Sequence, residues 1–247
     1  MPMDGKVVIV TGASQGIGAG IVQGYRERGF RIVANSRSIS QGREPEIVAV
    51  PGDIADPDTA ERLVRAALTH FGRIDTLVNN AGIFIPKPVT QYSTGEFTKV
   101  VGVNLGGFFH ATCLAAEVMQ DQGSGHIVSI TSSLVDQPMT AVPAVLTSLT
   151  KGGIVAATRA LSIELASKGI RVNAVSPGII ATPMHTQESH GMLASLHPLG
   201  RMGRIEEVVE AVLYLERATF VTGEILHVDG GQSAGHWTVT ETARAPG

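Results

Sequence analysis

The chain has 247 residues, a formal net charge of −3 and 17% charged residues, so it offers neither the basic footprint of a nucleic-acid binder nor an acidic interaction tail. Its single cysteine, Cys113, excludes an internal disulfide and a cysteine-based metal site. With no signal segment and no apolar run approaching the roughly 18 residues of a bilayer span, the expectation is a soluble cytoplasmic protein acting on a small molecule, with no nucleic-acid, membrane or metal partner.

No Pro/Gly/Ser-rich linker or charge block divides the chain, and residues 1–247 read as one domain. The run Val7-Val8-Ile9-Val10 predicts a buried strand. Thr11-Gly12-Ala13-Ser14-Gln15-Gly16-Ile17-Gly18 then turns tightly into a helix patterned on Ile17, Ile21, Val22 and Tyr25. Strand, glycine turn and helix make a phosphate site, because glycine lets the backbone approach the ligand and a helix start presents unpaired N–H groups. The spacing of Gly12, Gly16 and Gly18 departs from G-x-G-x-x-G.

A second strand, Phe30–Ala34, ends at Asn35-Ser36-Arg37-Ser38. In a dinucleotide fold an acidic residue about 20 positions after the glycines binds the ribose 2′-hydroxyl, whereas an arginine there accommodates a 2′-phosphate. Ser36 and Arg37 therefore favour NADP(H) over NAD(H). The third strand, Ile47–Val50, begins ten positions after Arg37, too soon for a regular crossover helix, which is short or missing. Asp53 and Ile54 follow it, placed either to flank an adenine ring or, for Asp53, to cap a turn.

Asp56-Pro57 starts a helix with the buried stripe Leu63, Ala67 and Phe71, ended by Gly72. The strand Asp75–Val78 leads into Asn79-Asn80-Ala81-Gly82, small residues and amides at a carboxyl end, where open α/β sheets bind ligands. A helix over Glu96–Gln122 contains Asn104, flanked by Val103 and Leu105, and the pair Gly106-Gly107. The strand His126–Ile130 ends in Thr131-Ser132-Ser133. A helix over Pro143–Lys168 carries Thr147 and Lys151 and is apolar almost all round, as for deep burial or packing against another subunit. The strand Ile170–Val175 leaves through Ser176-Pro177-Gly178-Ile179-Ile180-Ala181-Thr182. Residues 183–200, rich in His and Met, read as a lid whose Met184, Met192, Leu193 and Leu196 suit an apolar pocket. A helix over Ile205–Leu215, a strand over Glu224–Val228 and a tail over residues 232–247 with His236 and Trp237 complete the chain. The alternation predicts a Rossmann-type doubly wound parallel sheet of about seven strands with helices on both faces.

With these pieces placed, the chain resembles the short-chain dehydrogenase/reductase (SDR) family over nearly its whole length. The matching motifs are Thr11-Gly12-x-x-x-Gly16-x-Gly18, Asn79-Asn80-Ala81-Gly82, Asn104, Ser132 after a strand, Lys151, Pro177-Gly178 with Thr182, and Asp229-Gly230-Gly231. The resemblance implies a homotetramer that binds NAD(P)(H) and moves a hydride to or from a carbonyl or alcohol carbon. By position it implies that Ser132 polarises the substrate oxygen, Lys151 holds the nicotinamide ribose and Asn104 holds a relay water. It also implies a cofactor site lined by Gly12, Ser14, Gln15, Gly16, Ile17, Gly18, Ser36, Arg37, Asp53, Ile54, Asn80, Ala81, Gly82, Lys151, Pro177, Gly178, Ile180 and Thr182.

The departure is at the catalytic tyrosine, which the family places four residues before the lysine. Thr147 stands there, and Tyr25, Tyr92 and Tyr214 precede Gly29, Glu96 and Ala218 by the same interval. The interval from Ser132 to Thr147 is also longer than the family's, which leaves Ser132 and Ser133 both open as the inward serine. An aliphatic hydroxyl does not titrate near neutral pH, so Thr147 orients rather than protonates. Three readings follow. The chain is a reductase whose proton comes from water, from Lys151 through a relay or from His185, His190 or His197. Alternatively it reduces iminium or quinone substrates that need no strong acid, or it is a non-catalytic NADP(H) sensor or subunit supporting an active relative.

Overall fold

The computed structural model describes residues 5–183, 186 and 190–235. Seven strands form one parallel sheet in the order β3-β2-β1-β4-β5-β6-β7. They are β1 (Val7–Thr11), β2 (Arg31–Ser36), β3 (Ile47–Pro51), β4 (Thr76–Asn79), β5 (Gly125–Ile130), β6 (Ile170–Pro177) and β7 (Ile225–Val228). The chain winds outward from β1 to β3, then returns to place β4 on the other side of β1. That reversal opens a crevice at the carboxyl ends of β1 and β4.

The helices cover both faces. Val8 and Val10 of β1 pack against α1 (Gly16–Arg26) and α7 (Ile205–Arg217) through Ile21, Tyr25, Val208 and Val212. Val7 and Ile9 face α2 (Pro57–Phe71), with its Leu63 and Ala67, and the Ala111, Ala115 and Met119 stripe of the fourth helix. This alternation follows from the period of two along a strand. β2 and β3 are joined without a helix, as the short interval requires. In α2 the Asp56 carboxylate accepts from the Asp58 N–H at 3.1 Å, and Gly72 closes the helix at φ 75°.

The helix expected over Glu96–Gln122 is in fact three segments. α3 (Thr94–Val101) passes through a π turn at Gly102–Gly106 into α4 (Gly107–Gln122). A Cβ on Gly107 would lie 2.8 Å from the Ile54 side chain, so the glycine lets α4 seat against the end of β3. The continuous helical run Thr94–Gln122 does reach a mean hydropathy of 1.2 over an 18-residue window, contrary to the sequence expectation. Its apolar character serves packing, since Ala111, Ala115 and Met119 lie in the core. α5 (Val145–Ala166) is buried along Leu146, Ile154, Val155 and Leu165 but exposes Leu149 and Ile163, so it is not apolar on all sides by virtue of depth. Within residues 183–200, expected as a lid, the described part contains α6 (His190–Ala194); Met184 and His185, like His236 and Trp237 of the tail, lie outside the described residues.

The sheet's amino end is tied by a buried polar knot. Glu216 of α7 accepts hydrogen bonds at one carboxylate oxygen from Tyr25 (3.2 Å), Thr76 (2.8 Å) and His126 Nδ1 (3.0 Å). The amide of Asn173 is oriented by the Glu224 N–H at its oxygen and by the Val221 carbonyl at its nitrogen, so its N–H also meets His126 Nε2. His126 is thereby fixed as the neutral Nδ1–H tautomer.

Candidate active site

A cleft of about 560 Å³ runs along the carboxyl edge of the sheet from the β1–α1 turn to the first turns of α5. Every residue expected to hold a cofactor lines it: Gly12, Ser14, Gln15, Gly16, Ile17, Gly18, Ser36, Arg37, Asp53, Ile54, Asn80, Ala81, Gly82, Lys151, Pro177, Gly178, Ile180 and Thr182.

The glycine turn is held tightly enough that side chains are excluded. Gly12 sits at φ 67°, and a Cβ on Gly18 would fall 2.1 Å from the Gly12 carbonyl oxygen. The Asn80 amide donates to the carbonyls of Thr11 and Gly12 at 3.0 and 3.1 Å, while the Thr11 hydroxyl accepts from the backbone of Asn80 and Ala81. β4 thus braces the turn from which α1 starts. Gln15 makes no side-chain cap to α1, which leaves the helix N–H groups facing the cleft.

At the end of β2 the Ser36 hydroxyl is buried without a hydrogen-bond partner, and the exposed Arg37 beside it also lines the cleft. An orphaned hydroxyl next to a guanidinium, opposite a cradle closed to any Cβ, fits a phosphorylated ribose. Asp53 accepts the Ala55 N–H at 3.0 Å and lines the same wall, so capping the turn and facing the cleft are compatible.

The other end is built from the carboxyl end of β5, the π turn at Gly102–Gly106 and the first turns of α5. Lys151 is buried, donates to the Ile130 carbonyl at 2.7 Å and is pushed down to about 8 by burial. A Cβ on Gly82 would lie 3.2 Å from Lys151 Nζ and 3.4 Å from Asn104 Oδ1, so this glycine keeps both groups uncovered. Asn104 accepts the Ile83 N–H at 2.9 Å and donates to the Ile83 carbonyl and the Thr150 hydroxyl. Both amide protons are spent, and a relay water is left only the carbonyl oxygens of this residue.

Thr147 is buried in the cleft wall one turn before Lys151, and its hydroxyl has no partner among the described residues. The serine ambiguity resolves geometrically. Ser132 lines the cleft, accepting only the Leu134 N–H at 3.3 Å, whereas Ser133 is buried and donates to Gln232 Oε1 at 2.5 Å. The longer segment after Ser132 folds back through bridges from Met139 to Val142 and from Ala144 to Lys87.

The histidine expectation needs correction. His197 is 1% exposed, accepts the Ile179 N–H at Nε2 (2.9 Å) and donates from Nδ1 to the Leu193 carbonyl (3.1 Å). Its single proton is committed, and burial lowers its pKa, so it ties Leu193 to Ile179 and presents no proton to the cleft. His190 lies on α6 away from the cleft lining, and His185 lies outside the described residues. Tyr25 belongs to the Glu216 knot and the Tyr92 hydroxyl donates to Ile85. Among the described residues no tyrosine or histidine lines the cleft, and none of their His, Cys, Asp and Glu side chains gather as a metal site. Phe84, Val103, Leu134 and Ile179 supply apolar walls that the motifs did not single out, and Lys99 stands exposed at the rim one turn before Val103.

A family model described as Enoyl-(Acyl carrier protein) reductase matches residues 12–233. The granaticin polyketide synthase putative ketoacyl reductase 2 of Streptomyces violaceoruber is 37% identical over 242 residues, covering 92% of this chain and 96% of that protein. Among solved structures, the 3-ketoacyl-(acyl-carrier-protein) reductase from Brucella melitensis complexed with NADH superposes with a TM-score of 0.88 at 32% identity, covering 94% of this chain and 99% of that one. ElxO with NADP bound superposes with a TM-score of 0.87 at 28% identity, over 93% of this chain and 99% of that one.

Proposed function

This chain belongs to the short-chain dehydrogenase/reductase family, and on that premise we propose that it is an NADP(H)-dependent reductase of C=O or C=N compounds that works without the family's tyrosine. The observation that carries the reading is the single cleft joining Ser36 and Arg37 at one end to Ser132, Thr147 and Lys151 at the other. The buried, unpartnered Ser36 hydroxyl beside Arg37 supports a 2′-phosphate there. When bound, the nicotinamide would supply the hydride.

The chain's own residues divide the remaining work. The glycine turn and the start of α1 hold the pyrophosphate, and Asp53 and Ile54 flank the adenine. Lys151 holds the ribose, and Ser132, whose O–H is uncommitted, donates to the substrate's oxygen or nitrogen. Thr147 orients that group. Asn104 pins the Gly82–Ile83 backbone against α5 through Thr150. Residues 183–200 are read as the lid of a single domain, and the cleft walls Phe84, Val103, Leu134 and Ile179, rather than Met192, Leu193 and Leu196, favour an apolar substrate. Homotetrameric assembly in the cytoplasm belongs to the same reading, supported by resemblance and by the exposed Phe109, Leu149 and Ile163 on α4 and α5.

The missing phenol favours one second reading, a catalytically inactive NADP(H)-binding sensor or a subunit supporting an active relative. The test is NADPH oxidation by the purified protein against matched ketones, cyclic imines and quinones, with NADPH binding measured in the same buffer. Turnover supports the reductase; tight binding with no turnover across the panel supports the sensor or subunit.

A further inference from the structure

We propose that Lys151 is itself the proton donor of the reduction, giving an Nζ proton directly to the substrate oxygen through the space that Thr147 leaves open. The proposal rests on the reductase reading above and names the residue that replaces the phenol.

It follows from what the cleft contains. Its ionisable side chains, among the described residues, are Arg37, Asp53, Lys99 and Lys151. Arginine does not give up its proton at any working pH. Asp53 lies at the β3 end, turned into the Ala55 N–H. Lys99 stands on the exposed rim of α3, and Gly102, on the same stretch of helix, abuts Ala55, which puts this wall over the β3 end as well. The hydroxyls of Ser132 and Thr147 do not titrate near neutrality, and the proton of His197 is committed to Leu193. At the end of the cleft where Ser132 and Thr147 meet, Lys151 alone remains.

The geometry leaves this ammonium available. One N–H bonds the Ile130 carbonyl, and two are left, one to hold the ribose and one to meet the substrate. Gly82 presents no side chain over Nζ, where even a Cβ would stand at 3.2 Å. A threonine is shorter than a tyrosine by roughly 4 Å from bond lengths, and Thr147 and Lys151 both line the cleft. The groups that meet or flank Lys151 are neutral: the Ile130 carbonyl at the end of β5, Gly82 after β4, Asn104 from the π turn, and Thr147 and Thr150 from α5 itself. Burial among them lowers the ammonium to about 8, the range in which a general acid is both protonated and willing to give its proton near neutral pH.

The step balances. As hydride reaches the carbonyl carbon, the C=O π pair becomes an oxygen lone pair and takes a proton from Nζ. One N–H bond breaks and one O–H bond forms. The neutral amine keeps its bond to Ile130 and is reprotonated by solvent in the cleft. A quaternary iminium needs no such proton, because hydride transfer alone completes its reduction.

The experiment follows single-turnover oxidation of NADPH by the full chain from about pH 6 to pH 10, with a ketone and with an N-alkylated iminium of the same skeleton. The Lys151 amine is titrated separately in the cofactor-free protein by its isotope-labelled NMR signal. The ketone rate is expected to be level below about pH 8 and to fall about tenfold per unit above it, matching the NMR midpoint, while the iminium rate stays level. Lys151→Arg, which keeps the charge but withholds the proton, should cost ketone reduction at least about 100-fold more than it costs iminium reduction, the iminium loss reading the effect on cofactor binding that both substrates share. Parallel profiles for the two substrates, an amine midpoint at the ordinary lysine value, or equal losses in Lys151→Arg would overturn the proposal and leave the reductase reading standing. NADPH binding with neither substrate turned over would overturn that reading and the proposal together.

Discussion

Thr147 and Lys151 stand one helical turn apart in the wall of the cleft, and only the lysine is engaged, through its bond to Ile130. Restoring a phenol at the first position places a second acid between the ammonium and the substrate, where the positive charge lowers the phenol's pKa. Because Lys151 already gives a proton, Thr147→Tyr should raise ketone reduction by less than the factor of about 10² to 10⁴ that a positioned acid contributes where none is present. Steady-state kinetics on a ketone panel check this. No gain would mean that the segment bridged to Lys87 through Ala144 has reshaped the wall against a larger side chain.

Arg37 and the orphaned hydroxyl of Ser36 carry the preference for a 2′-phosphate. Arg37→Asp removes a charge-assisted donor and adds repulsion, each on the order of 1–3 kcal/mol. NADPH affinity should fall about 10- to 100-fold or more while NADH affinity changes little, read by fluorescence titration of both cofactors. An unchanged ratio would remove the argument for NADP(H).

Arg37 is legible in the sequence because a charge at a strand's end is a local pattern, whereas Thr147 and Lys151 are placed only through the family resemblance. What escapes the sequence is long-range. Asn104 sits in an apolar stretch that reads as unbroken helix, and the π turn around it answers to bonds with Ile83 and Thr150, 21 and 46 positions away. His197 reads as a candidate proton donor, since nothing near it in the sequence discloses the Ile179 N–H that fills its acceptor. Glu216 resembles a solvated charge ending α7, yet it is 6% exposed because Tyr25, Thr76 and His126 converge on it from three other elements. Lys99 had no motif to mark it, and its place on the cleft depends on how α3 crosses the sheet edge.

Asn104 Oδ1 and Lys151 Nζ both lie within 3.4 Å of the same point over Gly82. Replacing the neutral amide by a carboxylate at that range stabilises the ammonium and raises its pKa. Asn104→Asp should move the alkaline limb of ketone reduction upward from about pH 8, by roughly one unit. It should also lower the rate on the plateau, because the Ile83 carbonyl and the Thr150 hydroxyl lose their amide donor. The pH profile separates the two effects. A lower rate with an unmoved limb would show that Asn104 acts on the loop alone.

The Glu216 knot predicts how the fold responds to acid. Burial by itself would raise the Glu216 carboxyl, but the hydrogen bonds from His126 and Thr76 hold it down to about 2. Burial lowers His126 below its ordinary value against the pull of Glu216. Both folded-state values are depressed, so both groups contribute stability that is present above their unfolded values, about 6.5 for histidine and about 4.3 for glutamate. That contribution is lost as pH falls through this range. The melting temperature should be level near neutrality and decline below about pH 6.5, steeply below about pH 4. Glu216→Gln keeps an oxygen for the three donors but removes the charge that strengthens their bonds and turns its amide nitrogen toward Lys6, which stands 3.8 Å from the other carboxylate oxygen. It should cost about 1–3 kcal/mol at pH 7, a drop of several degrees for a chain of this size. The gap from the parent should close toward pH 3, where the parent's own carboxyl begins to protonate. Because β4 and β5 hold the knot at their amino ends and the cleft at their carboxyl ends, NADPH binding at pH 7 and 25 °C should be unchanged in the folded variant. A loss of binding in step with the loss of stability would show that the two ends of the sheet are coupled.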